Sequence, residues 1–254
     1  MSRRVLFNEK YGNLRDEVLS IVDNFENVGT VIYRGHNLIK TARAGGLEIN
    51  IKRYRVPHVF NRVVYSFIRR PKGLRAFTYP DRLLRAGIET PEPIAYVEER
   101  IGGLIGYSYL VTVQMAYTRD FYEFGDKDMT DPADVAIVRA LARYAARMHQ
   151  AGILHRDFSP GNIIFDTDAS KGEPKFAVVD INRMSFGPVS ATRGIRNLAR
   201  LWGQPLMFDI MAEEYARARG ADPAEMARLL HAERRRVWTR YSRRHKVKFN
   251  LRFK

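Results

Sequence analysis

The sequence predicts an α+β protein in two lobes, with an antiparallel sheet and its helices up to about Val113 and a mainly helical part beyond. Three observations carry that expectation. Between Thr30 and Tyr54, short β-branched and aromatic runs alternate with Gly- and Asn-containing turns. From Asp134 to Gln150, apolar residues recur at helical spacing. The chain has 254 residues, 45% hydrophobic and 28% charged, which supplies a sizeable core and excludes a disordered chain.

Taken in order, Leu14, Val18, Ile21, Val22 and Phe25 lie at helical spacing before Gly29, so residues 1–26 read as a helical extension. Thr30–Tyr33, Leu38–Thr41 and Glu48–Tyr54 follow as three strands of a meander, turned at Arg34–Asn37 and Ala44–Gly46. Val59, Phe60, Val63, Val64, Phe67 and Ile68 share a helical face beside Arg62, Arg69, Arg70 and Lys72. That face suits core packing, the commoner outcome, or a membrane surface. Leu74–Ala86 is a further helix with Pro80 near its start or at a kink. Ile94–Val97 and Tyr107–Val113 are strands on either side of Gly102–Gly103. In the Asp134–Gln150 helix, Val138, Leu141, Ala145 and Met148 form the apolar stripe, Arg139, Arg143 and Arg147 repeat every fourth position, and Gly152 ends it. Asn197–Tyr215 and Pro223–Tyr241 are helical by composition. The lobes are therefore expected at 27–113 and 114–254, with a basic tail from about residue 234.

Lys and Arg number 43 against 28 Asp and Glu, a net charge of +15 that calls for an anionic partner. Ten of those bases fall between Arg234 and Lys254 with no acid among them, interleaved with Trp238, Tyr241, Phe249 and Phe253. Such a run is either a solvated tail or a surface for phosphates and apolar groups. Cysteine is absent, which excludes disulfides and cysteine-ligated metal, haem or iron–sulfur sites and fits a reducing cytoplasm. The first ten residues set charges on both sides of a short apolar run and do not read as a signal peptide. Nowhere do roughly 18 apolar residues run together, as a spanning helix requires.

The chemistry concentrates after the Asp134–Gln150 helix. His155-Arg156-Asp157-Phe158-Ser159-Pro160-Gly161-Asn162 is followed by strand Ile163–Phe165, a polar turn, and strand Phe176–Val179 ending at Asp180. A carboxylate at Asp157 suits accepting or orienting a hydroxyl proton. The carbonyl oxygen of Asn162 and the carboxylate of Asp180 are the hard oxygen ligands that Mg²⁺ prefers. Asp and Asn also serve as turn and cap residues around hairpins. His155 reads as a buried structural residue of the loop.

This run resembles the His-Arg-Asp-x-x-x-x-Asn loop of protein-kinase-like phosphotransferases, with Asp180 at the magnesium-binding position after the next hairpin. The resemblance implies a two-lobed kinase-like fold, ATP and Mg²⁺ as cofactors, and nucleotide bound where the lobes meet near Gln114–Tyr117. It gives Asp157 the acceptor, Asn162 and Asp180 the metal, and Lys52, at the end of the third strand, the nucleotide phosphates. The glycine-rich loop of protein kinases is reduced here to Gly29–Asn37. Asp180-Ile181-Asn182 replaces Asp-Phe-Gly, and no Ala-Pro-Glu follows.

The runs His155–Ile163, Val179–Met184, Gly87–Ile94 and Leu198–Gly203 are similar to the bacterial lipopolysaccharide-core kinase family, over about Tyr11 to Tyr215. That resemblance implies phosphorylation of a sugar hydroxyl, Kdo in first place and heptose otherwise, on a lipid-A precursor at the cytoplasmic face of the inner membrane. It also implies an anionic membrane surface as partner, with the basic tail and Val59–Lys72 as docking candidates, and no specific nucleic acid. Relatives carry a helix Glu that pairs with the strand Lys; Thr78 stands at that position, and Asp81 one turn later. The alternatives are a RIO-like atypical protein kinase, a small-molecule phosphotransferase, or a non-catalytic kinase-like binding module.

Overall fold

Paired glycines shape the sheet. The computed structural model describes residues 2–167 and 173–254. The chain divides into two compact units: one takes the chain through Arg82 and returns for Thr90–Ala116, the other comprises Leu83–Glu89 and Tyr117–Lys254.

The first unit is built from β1 (Ser2–Phe7), α1 (Arg15–Asp23), β2 (Thr30–Arg34), β3 (Leu38–Ala44), β4 (Leu47–Tyr54), α2 (Val59–Val63), α3 (Lys72–Thr78), α4 (Pro80–Arg85, which runs on into the second unit), β5 (Pro93–Ile101) and β6 (Leu104–Val113). Its strands form one antiparallel sheet in the order β1-β5-β6-β4-β3-β2. Gly45 and Gly46, with φ of +55° and +79°, close the β3–β4 hairpin through a turn that side chains resist. The Gly29–Asn37 segment forms a tight hairpin, as expected: Gly35 N–H donates to the Asn37 carbonyl at 3.0 Å between β2 and β3.

One strand escaped the sequence reading. Ser2–Phe7 pairs with β5, setting Arg3 opposite Glu99 and Arg4 opposite Glu98, so opposite charges support an edge strand. The leading helix starts only at Arg15. Val18, Ile21, Val22 and Phe25 pack on Ile49, Ile51, Val97 and Val111 at one face of the sheet. On the other face, Tyr54 and Leu110 pack with Ala76 of α3.

The apolar face from Val59 to Ile68 is not core. α2 lasts five residues before a π turn at Val64–Ile68. Arg62 Nε donates to the Ile105 carbonyl at 2.8 Å, and Ile105 N–H donates to Ser66 Oγ at 2.9 Å. These bonds hold the segment by its polar side, leaving Val59, Phe60, Phe67 and Ile68 between 68% and 78% exposed. The helix expected over Leu74–Ala86 is two short helices, because Pro80 lacks the N–H that would continue α3 and instead starts α4.

The second unit contains β7 (Arg119–Asp120), α5 (Pro132–Gln150), β8 (Ile153–His155), β9 (Ile163–Asp166), β10 (Lys175–Val178), β11 (Met184–Phe186), α6 (Ala191–Asn197), α7 (Pro205–Arg219) and α8 (Pro223–Ser242). The polar turn expected between β9 and β10 lies partly outside the described residues. Asp131 caps α5 by accepting from Ala133 N–H at 2.8 Å, with Pro132 in the first turn where no N–H is needed. α5 packs on α7, and α7 on α8. Glu214 of α7, nearly buried, bonds Arg139 and Arg143 of α5 and Arg217 of its own helix. Part of the arginine stripe is thus paired inside the unit.

The basic run is not a free tail. It begins within α8, and Arg234 is fully buried. Its guanidinium lies over the rings of Phe208 and Phe253 and donates to the carbonyls of Gly203, at 2.5 Å, and Arg252. Trp238 and Phe249 are buried as well, with ring centroids 5.0 Å apart. These residues therefore leave the set of docking candidates, while Arg240, Arg243, Arg244, Lys246 and Lys248 remain exposed.

Candidate active site

The loop from β8 to β9 is held from inside by His155, which is fully buried. Its Nε2–H donates to the Val179 carbonyl at 3.0 Å, and its Nδ1 accepts from the Asp157 N–H at 3.1 Å. Those two partners select the neutral tautomer, and burial holds its pKa below the ordinary histidine value. The sequence reading of His155 as structural agrees with this arrangement.

Behind the loop runs a directional chain of hydrogen bonds. Arg219 donates to the Tyr215 hydroxyl at 2.8 Å, which donates to His149 Nδ1 at 2.9 Å. His149 Nε2–H donates to Asn197 Oδ1 at 3.2 Å, and Asn197 Nδ2 donates to the His155 carbonyl at 3.0 Å. Burial, followed by the nearby charges of Arg219 and Arg193, lowers the His149 pKa to about 4. The loop is thereby tied to α5, α6 and α7. Sequence reading missed this chain because its members are scattered from His149 to Arg219.

Asn162 binds its own loop. Its Nδ2 donates to the Asp157 carbonyl at 2.9 Å and to Ser159 Oγ at 3.2 Å, and its carbonyl accepts from Val179 N–H at 3.0 Å. Its backbone thus sits beside the residue that precedes Asp180. Asp180 takes φ 53° and ψ 42°, a left-handed conformation that costs energy for a residue with a Cβ and recurs at functional sites. Asn182 Nδ2 donates to Asp180 Oδ1 at 2.7 Å.

Each Asp157 carboxylate oxygen meets a guanidinium. Oδ1 accepts from Arg200 Nη1 at 2.7 Å and Oδ2 from Arg183 Nη1 at 3.2 Å. Both arginines lie in runs quoted above, but a partner 43 residues away, as between Asp157 and Arg200, leaves no local signal.

The donor set fits a hard cation completed by phosphate oxygens, since Asn162 commits its NH₂ to the loop and so offers its oxygen. Among the described residues, no group of three or more His, Asp or Glu is placed to hold a metal alone. Lys52 belongs to the first unit, on β4, opposite Ile39 of β3 and Leu110 of β6. Its Nζ lies 5.4 Å from the Tyr54 ring centroid. Thr78 ends α3 with its hydroxyl turned back to the Arg75 carbonyl at 3.3 Å.

An antiparallel sheet unit, a helical unit, and a catalytic-type loop followed by a β-hairpin and a strained Asp define a protein-kinase-like fold. The chain belongs to the lipopolysaccharide kinase (Kdo/WaaP) family, whose model matches residues 24–231. It is 32% identical over 108 residues to the lipopolysaccharide core heptose(I) kinase WaaP of Pseudomonas aeruginosa, a match spanning 40% of this chain and 40% of that protein. The solved structure of WaaP in complex with acyl carrier protein covers 94% of this chain, and 99% of its own chain is covered, with a TM-score of 0.61 and 21% identity. At that identity the likeness shows the fold.

Proposed function

We propose that the protein transfers the γ-phosphoryl group of ATP to a sugar hydroxyl of the lipopolysaccharide inner core, with Kdo on a lipid-A precursor as acceptor. One observation carries this reading: Asn162 binds the Asp157 carbonyl and the strand leading to Asp180, so three groups suited to phosphoryl transfer are tied together by hydrogen bonds. In this reading Asp157 orients the acceptor hydroxyl and takes up its proton, a contribution of about a hundredfold to ten-thousandfold in rate. Asn162 and Asp180 would hold Mg²⁺, and Lys52 would hold nucleotide phosphate. Bound magnesium supplies neutralisation of the phosphate charge.

The acceptor sits in a membrane, and the surface carries a matching feature. Val59, Phe60, Phe67 and Ile68 are exposed, with the exposed Arg69 and Arg70 following in the chain, an arrangement suited to anionic lipid, where each base near the surface contributes about 1 kcal/mol. Among the described residues, no helix is long and apolar enough to cross a membrane. This reading places the protein at the cytoplasmic face of the inner membrane.

A heptose acceptor is the second reading, favoured by the similarity to the heptose(I) kinase of Pseudomonas aeruginosa. Mass spectrometry of Kdo-bearing and heptose-bearing acceptors, each incubated with the protein, ATP and Mg²⁺, separates the two. Addition of one phosphate to the Kdo acceptor supports the first reading. Modification of the heptose acceptor alone supports the second, and modification of neither removes both.

A further inference from the structure

The Asp157 carboxylate is about one-quarter exposed, yet both of its oxygens are engaged by guanidiniums. A hydroxyl arriving at this carboxylate must share or displace one of them. The side chains are 57% exposed for Arg183 and 47% for Arg200, so solutes reach them.

Their backbones are firmly placed. Arg183 ends a short 3₁₀ turn whose Ile181 and Asn182 are buried and whose next residue, Met184, pairs with His155. Arg200 stands on Leu198, Ala199 and Leu201, all fully buried, and Trp238 Nε1 donates to the Ala199 carbonyl at 3.0 Å. The buried part of the basic run thus supports Arg200. Two exposed forks on rigid supports form a preorganised receptor for a carboxylate or phosphate.

We propose that Arg183 and Arg200 form an anion subsite for the acceptor, selecting a hydroxyl whose own sugar carries a carboxylate or phosphate; this rests on Asp157 being the group that meets the acceptor. Without acceptor the two guanidiniums hold Asp157. When the acidic sugar binds, they turn to its anion and leave carboxylate oxygen for the hydroxyl. A neutral sugar leaves the clamp in place.

The test pairs binding with turnover, using wild type, Arg183→Gln, Arg200→Gln and Arg200→Lys, with melting curves to confirm folding. Calorimetric titration with Kdo monosaccharide, its methyl ester and inorganic phosphate reads the subsite directly. Charge-assisted bonds of this kind predict about a tenfold or greater loss of Kdo affinity in each Gln variant and a smaller loss in the Lys variant. The ester binds weakly and equally to all. In turnover, KM for the intact acceptor rises more than kcat falls, and the ester shows no further effect. Unchanged Kdo affinity in the variants, or equal losses with acid and ester, overturns the subsite. If wild type phosphorylates no core sugar, the kinase reading fails, and the titrations alone decide the subsite.

Discussion

Asn197 binds two histidines at once, accepting from His149 through Oδ1 at 3.2 Å and donating through Nδ2 to the carbonyl of His155 at 3.0 Å. It transmits the position of three helices to the loop that bears Asp157. Both histidines must stay neutral for this arrangement, and that requirement reaches stability.

Burial lowers the His149 pKa to about 4 and lowers that of His155 as well. In the unfolded chain both titrate near 6.5, so below that pH the unfolded state binds protons that the folded state refuses. Stability is therefore expected to fall as pH drops from about 6.5 toward 4, by roughly 3 kcal/mol from His149 alone. Urea midpoints between about pH 7.5 and pH 4.5 measure it, and His149→Gln should flatten the dependence. Equal slopes for wild type and variant would refute the account.

Gly194 sits against this chain. A Cβ there would lie 1.9 Å from the Tyr215 hydroxyl and 2.7 Å from His149 Nδ1. Gly194→Ala is expected to lose about 1–3 kcal/mol by overpacking, read as a lower urea midpoint. A midpoint equal to wild type would mean that the chain relaxes freely.

Arg234 is a core residue despite its charge, and burial pulls its pKa down to about 10. Arg234→Ala removes its packing between Phe208 and Phe253 and leaves two carbonyls without their donor, at an expected cost of about 2–4 kcal/mol. Limited trypsin digestion should then release the segment after Ser242 faster. Unchanged digestion would contradict the role given to Arg234.

Phe60 and Phe67 are exposed, so their replacement by Ser should leave the melting temperature within about 1–2 °C of wild type. Flotation with vesicles containing anionic lipid should drop about tenfold or more in the double variant. Retention of full binding would leave the segment without this function.

The sequence reading and the structure agree where local rules dominate. The β3–β4 turn, the capped α5 and the Asp157-to-Asn162 loop each carry their signal within a few residues. The disagreements involve distance or competition. β1 exists because β5 offers its edge; the Val59–Ile68 face has helical periodicity but, among the described residues, no neighbour to cover it; and the buried Arg234 depends on rings at 208 and 253. Of the candidate site, the loop between its two strands was legible and the Arg183–Asp157–Arg200 clamp was not, since nothing in a local pattern specifies which arginine turns inward.

The most direct test is single-turnover transfer from γ-labelled ATP to a Kdo-bearing lipid-A acceptor, wild type beside Asp157→Asn, with nucleotide affinity and melting temperature measured on both. The expected result is label on the sugar with wild type and at least about a hundredfold slower transfer with the variant, at equal ATP affinity and stability. Equal transfer rates in the two proteins would contradict the role of Asp157, and absence of label on any core sugar with folded, ATP-binding wild type would contradict the proposed function.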